Sequence, residues 1–388
     1  MLKKILAILL VGLMLFGVVG CSFKPSSDVS GIEKGPDTLV AGKKINQAKP
    51  GKVADGFTEA LIKGDFATIR ELIYTEGDDT FFTAKDVEWY MPRSAFADFT
   101  AKVNDDQQYK VVSQELKTTG SQSSYRVTAT DKNDNAISLS LNLQLNNENK
   151  WFVLADEFYV ANWHFVTPGG ETKVSIDSTI LPDTVKNTSY GSQGLRKLHT
   201  IDCIGKSEKK IELSADKGFG NKEFAVNPMS NSEEDPFVCM VDITDEKIYQ
   251  GIADLFNSCS ELVEQGKSAS DLMPFVSHKA DTNVANTMFS GIKNAGSSLS
   301  GKLSGFKCSN VRPCSDSDWK SYYLTDTIAY VAFNYNMAWN YKLMSYAESV
   351  NMQNYADLIV DTNDNKCSVY DAKDRFFSWF NSATNKSK

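Results

Sequence analysis

The stretch Ala136-Ile-Ser-Leu-Ser-Leu-Asn-Leu-Gln-Leu145 alternates strictly between apolar and polar side chains. Successive side chains on a strand point to opposite faces, so this pattern predicts a strand with one buried and one solvated face. Such strands are typical of an antiparallel sheet covered on one side. Helical spacing at Val53, Phe57 and Leu61 predicts the helices that provide this cover. The first part of the chain is therefore expected to be an α+β domain.

The same plan recurs near the carboxyl end of the chain. Helical spacing over residues 248–263 precedes a long, aromatic-rich alternation from Ala329 to Tyr341. The loops Asp131-Lys-Asn-Asp-Asn135 and Asp361-Thr-Asn-Asp-Asn365 each separate two strand patterns. Both lack the glycine and the terminal glutamate of a calcium loop, so ordinary hairpin turns are predicted. The repeat predicts two cone-like domains, each with helices against a curved antiparallel sheet.

Residues 167–246 lack helical periodicity and contain short strand patterns separated by Gly, Asn and Pro clusters. This pattern predicts a small, immunoglobulin-like β-sandwich. The expected fold class is α+β, with two cone-like domains of helices and curved antiparallel sheet, residues 51–166 and 247–388, flanking the sandwich. A chain of 388 residues is long enough for two or three domains.

Residues 1–20 have the features of a secretory signal peptide. Lys3 and Lys4 precede an uncharged run, Ile5 to Val19, which is shorter than the about 20 residues that a spanning helix needs. An uncleaved signal anchor is the alternative interpretation. An extracytoplasmic location is expected.

The run Val18-Val19-Gly20-Cys21 resembles the bacterial lipobox. The resemblance implies that Cys21 becomes the mature amino terminus and carries a diacylglycerol group, whose two acyl chains are of the palmitate type. Two chains anchor a protein stably, so attachment to the outer face of the cell membrane is expected. Residues 21–50 are rich in Ser, Gly and Pro and predict a flexible tether.

Six cysteines follow Cys21, and an extracytoplasmic location permits disulfides. The favoured pairs are Cys203 with Cys239, Cys308 with Cys314 and, third, Cys259 with Cys367. Six cysteines allow 15 connectivities, and buried thiols are the alternative interpretation.

Composition and motifs exclude several functions. The net charge of -8 does not suit binding to a phosphate backbone, so no nucleic-acid partner is expected. His164, His199 and His278 stand in three separate segments without the spacing of a zinc site. The glycine-rich run 296–302 lacks the Ser or Thr that follows the lysine of a phosphate-binding loop. No enzyme activity, metal or cofactor is predicted.

The chain resembles the nuclear-transport-factor-two-like cone fold in its predicted helical hairpin, which contains the segment Phe57 to Gly64-Asp65-Phe66, and in the curved sheet that follows. This fold occurs in the non-catalytic amino-terminal domain of some resistant penicillin-binding transpeptidases. The segments 163–177 and 194–201 are similar to the extracytoplasmic repeats of TcaA-type envelope proteins, which have a small turn residue, usually Gly, at the position of Ser178. The resemblance implies a non-catalytic envelope protein.

The concave sheet of the second cone provides the candidate ligand-binding residues. These are Tyr330, Asn334, Asn336 and Trp339; burial in the core is the alternative interpretation of such a stripe. The predicted function is that of a membrane-anchored binding or scaffold module for cell-wall polymer or another envelope protein. The alternatives are a small-ligand carrier or enzyme that uses a cone pocket, and a regulator of the response to cell-wall antibiotics.

Overall fold

A computed structural model of the chain describes residues 45–103, 109–191, 194–297, 302–314, 320–343, 346–363 and 367–371. The predicted signal peptide, Cys21 and most of the predicted tether lie outside the described residues. The chain divides into two compact units. Unit 1 comprises Met1–Thr75 and Phe82–Tyr159, and unit 2 comprises Glu76–Phe81 and Val160–Lys388. No helix in the described stretches is both long and apolar enough to span a bilayer.

Helices come first in unit 1, and an antiparallel sheet follows. The helices are α1 (Pro50–Lys63), α2 (Phe66–Leu72), α3 (Ala84–Tyr90) and α4 (Ala97–Val103). The strands are β1 (Tyr109–Thr119), β2 (Gln122–Asp131), β3 (Ala136–Leu145) and β4 (Trp151–Val153). They lie in the order β1-β2-β3-β4, with antiparallel neighbours throughout.

Local sequence explains the helical hairpin at the start of unit 1. Pro50 occupies the first turn of α1, where its missing N–H is not needed. Gly64 ends α1 in the left-handed conformation, with φ of 64°. Asp65 then caps α2, because its carboxylate accepts a hydrogen bond of 3.1 Å from the backbone N–H of Thr68.

The alternating strand behaves as predicted, since Leu139, Leu141 and Leu143 are buried in unit 1. Aromatic rings fill the space between the helices and the sheet. Phe96 lies edge-on to Phe57 with centroids 5.4 Å apart and stacks on Phe158 at 5.9 Å. The α+β class is confirmed, and Phe57, Phe96 and Phe158 pack together in the core of unit 1.

Unit 2 begins with two four-stranded sheets, as expected for a sandwich. Their strands are β5 (Tyr159–Pro168), β6 (Lys173–Ile176), β7 (Thr179–Ile180), β8 (Lys186–Tyr190), β9 (Arg196–Gly205), β10 (Lys209–Ser214), β11 (Asn221–Val226) and β12 (Phe237–Val238). One sheet has the order β11-β10-β6-β7 and the other β12-β5-β9-β8.

The remainder of unit 2 consists of helices followed by a five-stranded sheet. The helices are α5 (Glu246–Glu264) and α6 (Val284–Ser297), with a 3₁₀ helix at Ala269–Phe275. The strands are β13 (Lys302–Pro313), β14 (Tyr322–Tyr323), β15 (Ile328–Leu343), β16 (Tyr346–Asp361) and β17 (Ser368–Asp371). The sheet has the order β13-β15-β16-β17, with β14 beside β15. One continuous apolar cluster joins this layer to the two smaller sheets.

Strands β15 and β16 form the longest pairing in the molecule. Their register runs without a break from Ile328 opposite Asp361 to Leu343 opposite Tyr346. The neighbouring strand β13 follows them with two register shifts, one of which contains Gly305 at φ of 66°. Bulges of this kind bend a strand, so β13 is expected to be bent at these two points.

The first of the two Asp-Asn loops is the hairpin turn that the sequence predicts. The carboxylate of Asp131 accepts hydrogen bonds of 2.8 Å from the backbone N–H groups of Asn133 and Asn135, which closes the β2–β3 hairpin. In the second loop, Asp361 accepts a hydrogen bond of 2.7 Å from the hydroxyl of Ser277. Residues 364–366 of that loop lie outside the described residues.

The turn between β6 and β7 supports a stability prediction. Asp177 and Ser178 have φ of 49° and 65°, the left-handed pair of a type I′ turn. This conformation costs a non-glycine residue about 1 kcal/mol, and the extra flexibility of glycine in the unfolded chain offsets part of that cost. The Ser178 side chain is exposed, so water replaces the hydrogen bond to Glu212 that glycine removes. We therefore expect Ser178→Gly to raise the free energy of unfolding by about 0.5 kcal/mol in urea titrations.

Asp177→Gly is the matched comparison for this turn. The Asp177 carboxylate accepts a hydrogen bond of 2.9 Å from the backbone N–H of Lys210, and glycine removes this acceptor. Asp177→Gly should therefore lower stability although it relieves the same backbone strain. Equal stabilisation by both variants would contradict the explanation.

Candidate functional site

The strand β15 separates the four predicted ligand-binding residues into two groups. Its odd-numbered side chains face the core of unit 2. The buried ones are Ala329, Val331, Phe333, Tyr335 and Met337. Trp339 belongs to this side and packs, partly buried, against the same core. Tyr330, Asn334 and Asn336 lie on the opposite side, because strand side chains alternate, so Trp339 does not join them.

Neighbouring strands extend the side that carries Tyr330. Tyr322 pairs with Tyr330 in the β14–β15 register, Tyr355 pairs with Asn334, and Asp357 pairs with Ala332. Directly opposed residues share a face. We call this surface the outer face; its side chains are Tyr322, Tyr330, Asn334, Asn336, Tyr355 and Asp357. The sequence analysis did not identify Tyr322, Tyr355 and Asp357. Each of them lies opposite an even-numbered residue of β15, and the alternation along β15 already placed those even-numbered residues on one side of the sheet.

Two tyrosines form one end of the outer face. The rings of Tyr322 and Tyr330 lie 5.3 Å apart between centroids. Both pack against the small apolar cluster of Leu324, Ile328 and Ile359. This support fixes the two rings, so little conformational entropy would be lost when a ligand stacks on them.

Asp357 is the carboxylate of the outer face. Its Oδ2 accepts a hydrogen bond of 3.2 Å from the hydroxyl of Tyr330. Its Oδ1 is buried and has no hydrogen-bond partner among the described residues. A buried acceptor without a partner is costly, so this oxygen is suited to receive an N–H or O–H group from a ligand.

Arg196 lies beside the tyrosine pair, on the strand β9. Its guanidinium carbon is 5.8 Å from the ring centroid of Tyr322 and 6.0 Å from that of Tyr190. Burial lowers the pKa of Arg196, but an arginine side chain stays cationic in proteins. Its Nε is buried and has no hydrogen-bond partner among the described residues.

The side chains of this surface could stack on a ligand and form hydrogen bonds with it. Tyrosine faces stack on sugar rings and other flat apolar surfaces, and asparagine amides both donate and accept hydrogen bonds. In the described stretches, no group of three or more His, Cys, Asp or Glu side chains could hold a metal ion.

Two of the three histidines belong to the sheet β12-β5-β9-β8. His199 stacks on Phe165 with centroids 4.8 Å apart, and its Nε2 lies 2.9 Å from the hydroxyl of Thr167. Burial, with a smaller contribution from Lys197, lowers the pKa of His199 to about 4. His199 is therefore a neutral core residue near pH 7. His164 bonds to Thr200 at 3.1 Å, and His278 is exposed.

The six cysteines after Cys21 are thiols in the structure. Cys203 lies on β9 and Cys239 follows β12, and β5 separates these two strands. Two strand spacings are about 10 Å, beyond the about 7 Å that a disulfide spans between Cα atoms. Cys308 lies within β13 and Cys314 directly follows it, so the predicted loop between them is an extended strand.

The third predicted cysteine pair is also held apart by the helix α5. Cys367 lies at the start of α5, where its sulfur is 3.8 Å from the carbonyl oxygen of Ile248. Cys259 lies on the same helix about three turns further along. Burial raises the pKa of both thiols to about 12, so they stay protonated near neutral pH.

Comparisons with known proteins give one structural neighbour to report. No family model and no curated protein sequence matches the chain. Among solved structures, the chain is similar to an "Ntf2 like protein involved in plasmid conjugation", with 11% sequence identity and a TM-score of 0.18. The match covers 74% of this chain and 86% of that chain. The fold assignment rests on the helices, sheets and cores described above.

His199 predicts a pH dependence of stability. Its pKa is about 4 in the folded chain and about 6.5 when unfolded, so the unfolded chain binds more protons between these values. The stabilisation is complete above pH 6.5 and is lost as the pH falls towards 4. We expect a loss of up to about 3 kcal/mol of unfolding free energy across this window.

His199→Gln removes the titrating group and isolates this effect from that of the carboxylates. Urea unfolding of both proteins at several pH values between 7 and 4.5 should show the wild-type advantage shrinking as the pH falls. Parallel stability curves for the two proteins would show that His199 does not cause the dependence.

Proposed function

We propose that this chain is a non-enzymatic envelope lipoprotein that binds cell-wall polymer through the outer face of unit 2. The observation that carries the proposal is the placement of tyrosine rings and asparagine amides, partly exposed, on the outer face of β15 and its neighbouring strands. Stacking surfaces beside amide hydrogen-bonding groups suit a chain of sugar rings, which presents apolar ring faces and many hydroxyl groups.

The length of the outer face favours a polymer over a small molecule. From Tyr330 to Asn336 the strand rises by about 20 Å. This distance accommodates several linked sugar rings in a row, whereas a small ligand prefers a concave pocket that encloses most of its surface.

Membrane anchoring is part of the proposal. Lipidation of Cys21 would hold the chain at the outer face of the membrane, and residues 21–50 would act as the tether that separates unit 1 from the bilayer. As a random coil, a tether of this length reaches roughly 30 Å. Another envelope protein remains the second class of partner.

Co-sedimentation of the full-length chain in detergent with purified cell-wall sacculi tests the proposal. We expect binding that persists at high salt, because stacking and amide hydrogen bonds are screened less than exposed charge pairs. Replacing Asn334 and Asn336 together by Ala should weaken binding about tenfold, the value of two ordinary hydrogen bonds.

The matched control replaces Asn221 and Asn227, which are exposed asparagines elsewhere in unit 2. The double variant Asn221→Ala/Asn227→Ala should bind as the wild type does. If both double variants bind equally, the outer face is not the binding surface. If the wild type does not sediment with sacculi, the polymer-binding proposal fails.

A further inference from the structure

We propose that the outer face ends in an anion-binding subsite at Arg196, so that the bound polymer is one that carries carboxylate or phosphate groups. This inference rests on the proposed function, because it names the chemical class of ligand for the same surface. It adds Arg196 and Tyr190 to the outer face, next to Tyr322.

Contacts place Arg196 at the end of the outer face. Tyr190 lies directly opposite Arg196 in the β8–β9 register. On its other side, the guanidinium approaches Tyr322, whose ring lies tilted against that of Tyr330 with centroids 5.3 Å apart. Tyr330 in turn donates a hydrogen bond to Asp357. These contacts are continuous within unit 2, so a ligand stacked on the two outer-face tyrosines would lie next to the cation.

The hydrogen-bonding state of Arg196 points to a ligand. Stacking on aromatic rings uses the faces of the planar guanidinium and leaves its N–H groups to bond at its edge. Among the described residues, no carboxylate pairs with Arg196, and its buried Nε has no acceptor. A carboxylate or phosphate offers two oxygens that match the guanidinium fork, and it is the group that would satisfy these donors best.

Charge makes this subsite selective. The chain has a net charge of -8, so an anionic polymer gains no general attraction from the protein. Binding of such a polymer therefore needs a specific cation, and Arg196 provides one beside the stacking surface. Asp357 stands at the other side of the tyrosine pair, where its buried Oδ1 would accept hydrogen bonds from ligand hydroxyl or N–H groups. One ligand segment would therefore place an anionic group at Arg196 and a hydrogen-bond donor at Asp357.

A structural role for Arg196 makes a different prediction. If the guanidinium only joined Tyr190 to Tyr322, its loss would change stability and leave binding unaffected once folding was intact. Arg196→Gln removes the charge but keeps a planar, hydrogen-bonding group, and Arg196→Lys keeps the charge but loses the fork. Lys197→Gln is the matched control, because it removes the same charge from the adjacent position of β9, whose side chain points away from Arg196.

The test measures binding of the full-length variants to three preparations of sacculi. One preparation is untreated, one has its carboxylates amidated by carbodiimide coupling, and one has its phosphodiester polymers removed by hydrofluoric acid. We expect Arg196→Gln to weaken binding to untreated sacculi about tenfold, Arg196→Lys to weaken it less, and Lys197→Gln to change it less than twofold.

The treatments identify the anion. Wild-type binding should fall about tenfold after only one of the two treatments. A fall after amidation identifies a carboxylate, and a fall after hydrofluoric acid identifies a phosphate. The same treatment should not further weaken the binding of the Arg196→Gln variant. Equal binding of Arg196→Gln and Lys197→Gln, or wild-type binding that neither treatment changes, would overturn the subsite. Thermal unfolding checks that each variant folds. If Arg196→Gln does not fold, Arg196→Lys and the two treatments decide.

A second measurement separates this subsite from the proposed function. Calorimetric titration of the full-length chain with oligogalacturonate and with oligo(glycerol phosphate), each beside a neutral counterpart, does not depend on binding to sacculi. If the chain does not bind sacculi but binds one of these anions in an Arg196-dependent manner, the subsite is supported and the proposed wall-polymer function is wrong. Sacculus binding that is independent of Arg196 supports the function and overturns the subsite. No binding in either assay overturns both.

Discussion

The unbroken pairing of β15 with β16 is the constraint on which unit 2 depends. A slip of one residue would exchange every core side chain of β15 for a solvent-facing one, because the side-chain period of a strand is two. Phe333 and Tyr335 would then leave the core, and Asn334 would enter it without hydrogen-bond partners. Such an exchange would cost several kcal/mol, so the register is strongly specified. The outer face is the other consequence of this register.

Covering the core side of the sheet leaves the outer face open. The helix α5 is fixed to β13 by Asn257, whose amide donates to the carbonyl of Cys308 at 3.0 Å and accepts from its N–H at 2.7 Å. This pair of bonds sets the helix against the sheet and satisfies the backbone of a strand that the bulge near Gly305 has bent. The main apolar layer thus lies on one side of the sheet. The other side carries Asn334 and Asn336 beside the small apolar cluster of Leu324, Ile328 and Ile359.

Local patterns in the sequence were sufficient to predict the elements but not their partners. The alternation of Leu139, Leu141 and Leu143 identified a half-buried strand, since it depends only on neighbouring residues. Trp339 was grouped with Asn334 although the two positions differ in parity along one strand, a signal that was present in the sequence. Arg196 and Tyr322 could not be paired in this way, because their contact depends on sheet order across more than a hundred residues. For the same reason, the spacing of the cysteines along the chain could not predict which of them lie close together.

The energetics of Arg196 indicate why its contacts are better explained by binding than by folding. Two cation–π contacts at a half-buried site contribute about 1–2 kcal/mol. A buried donor without an acceptor costs about 1–3 kcal/mol, which cancels that gain. A leucine or methionine would fill the space between Tyr190 and Tyr322 without this cost. An anion that binds the guanidinium removes the cost in the bound state only, so the free energy is recovered as affinity. The same reasoning applies to the unpaired Oδ1 of Asp357, and the two together favour a ligand that carries both an acceptor and a donor.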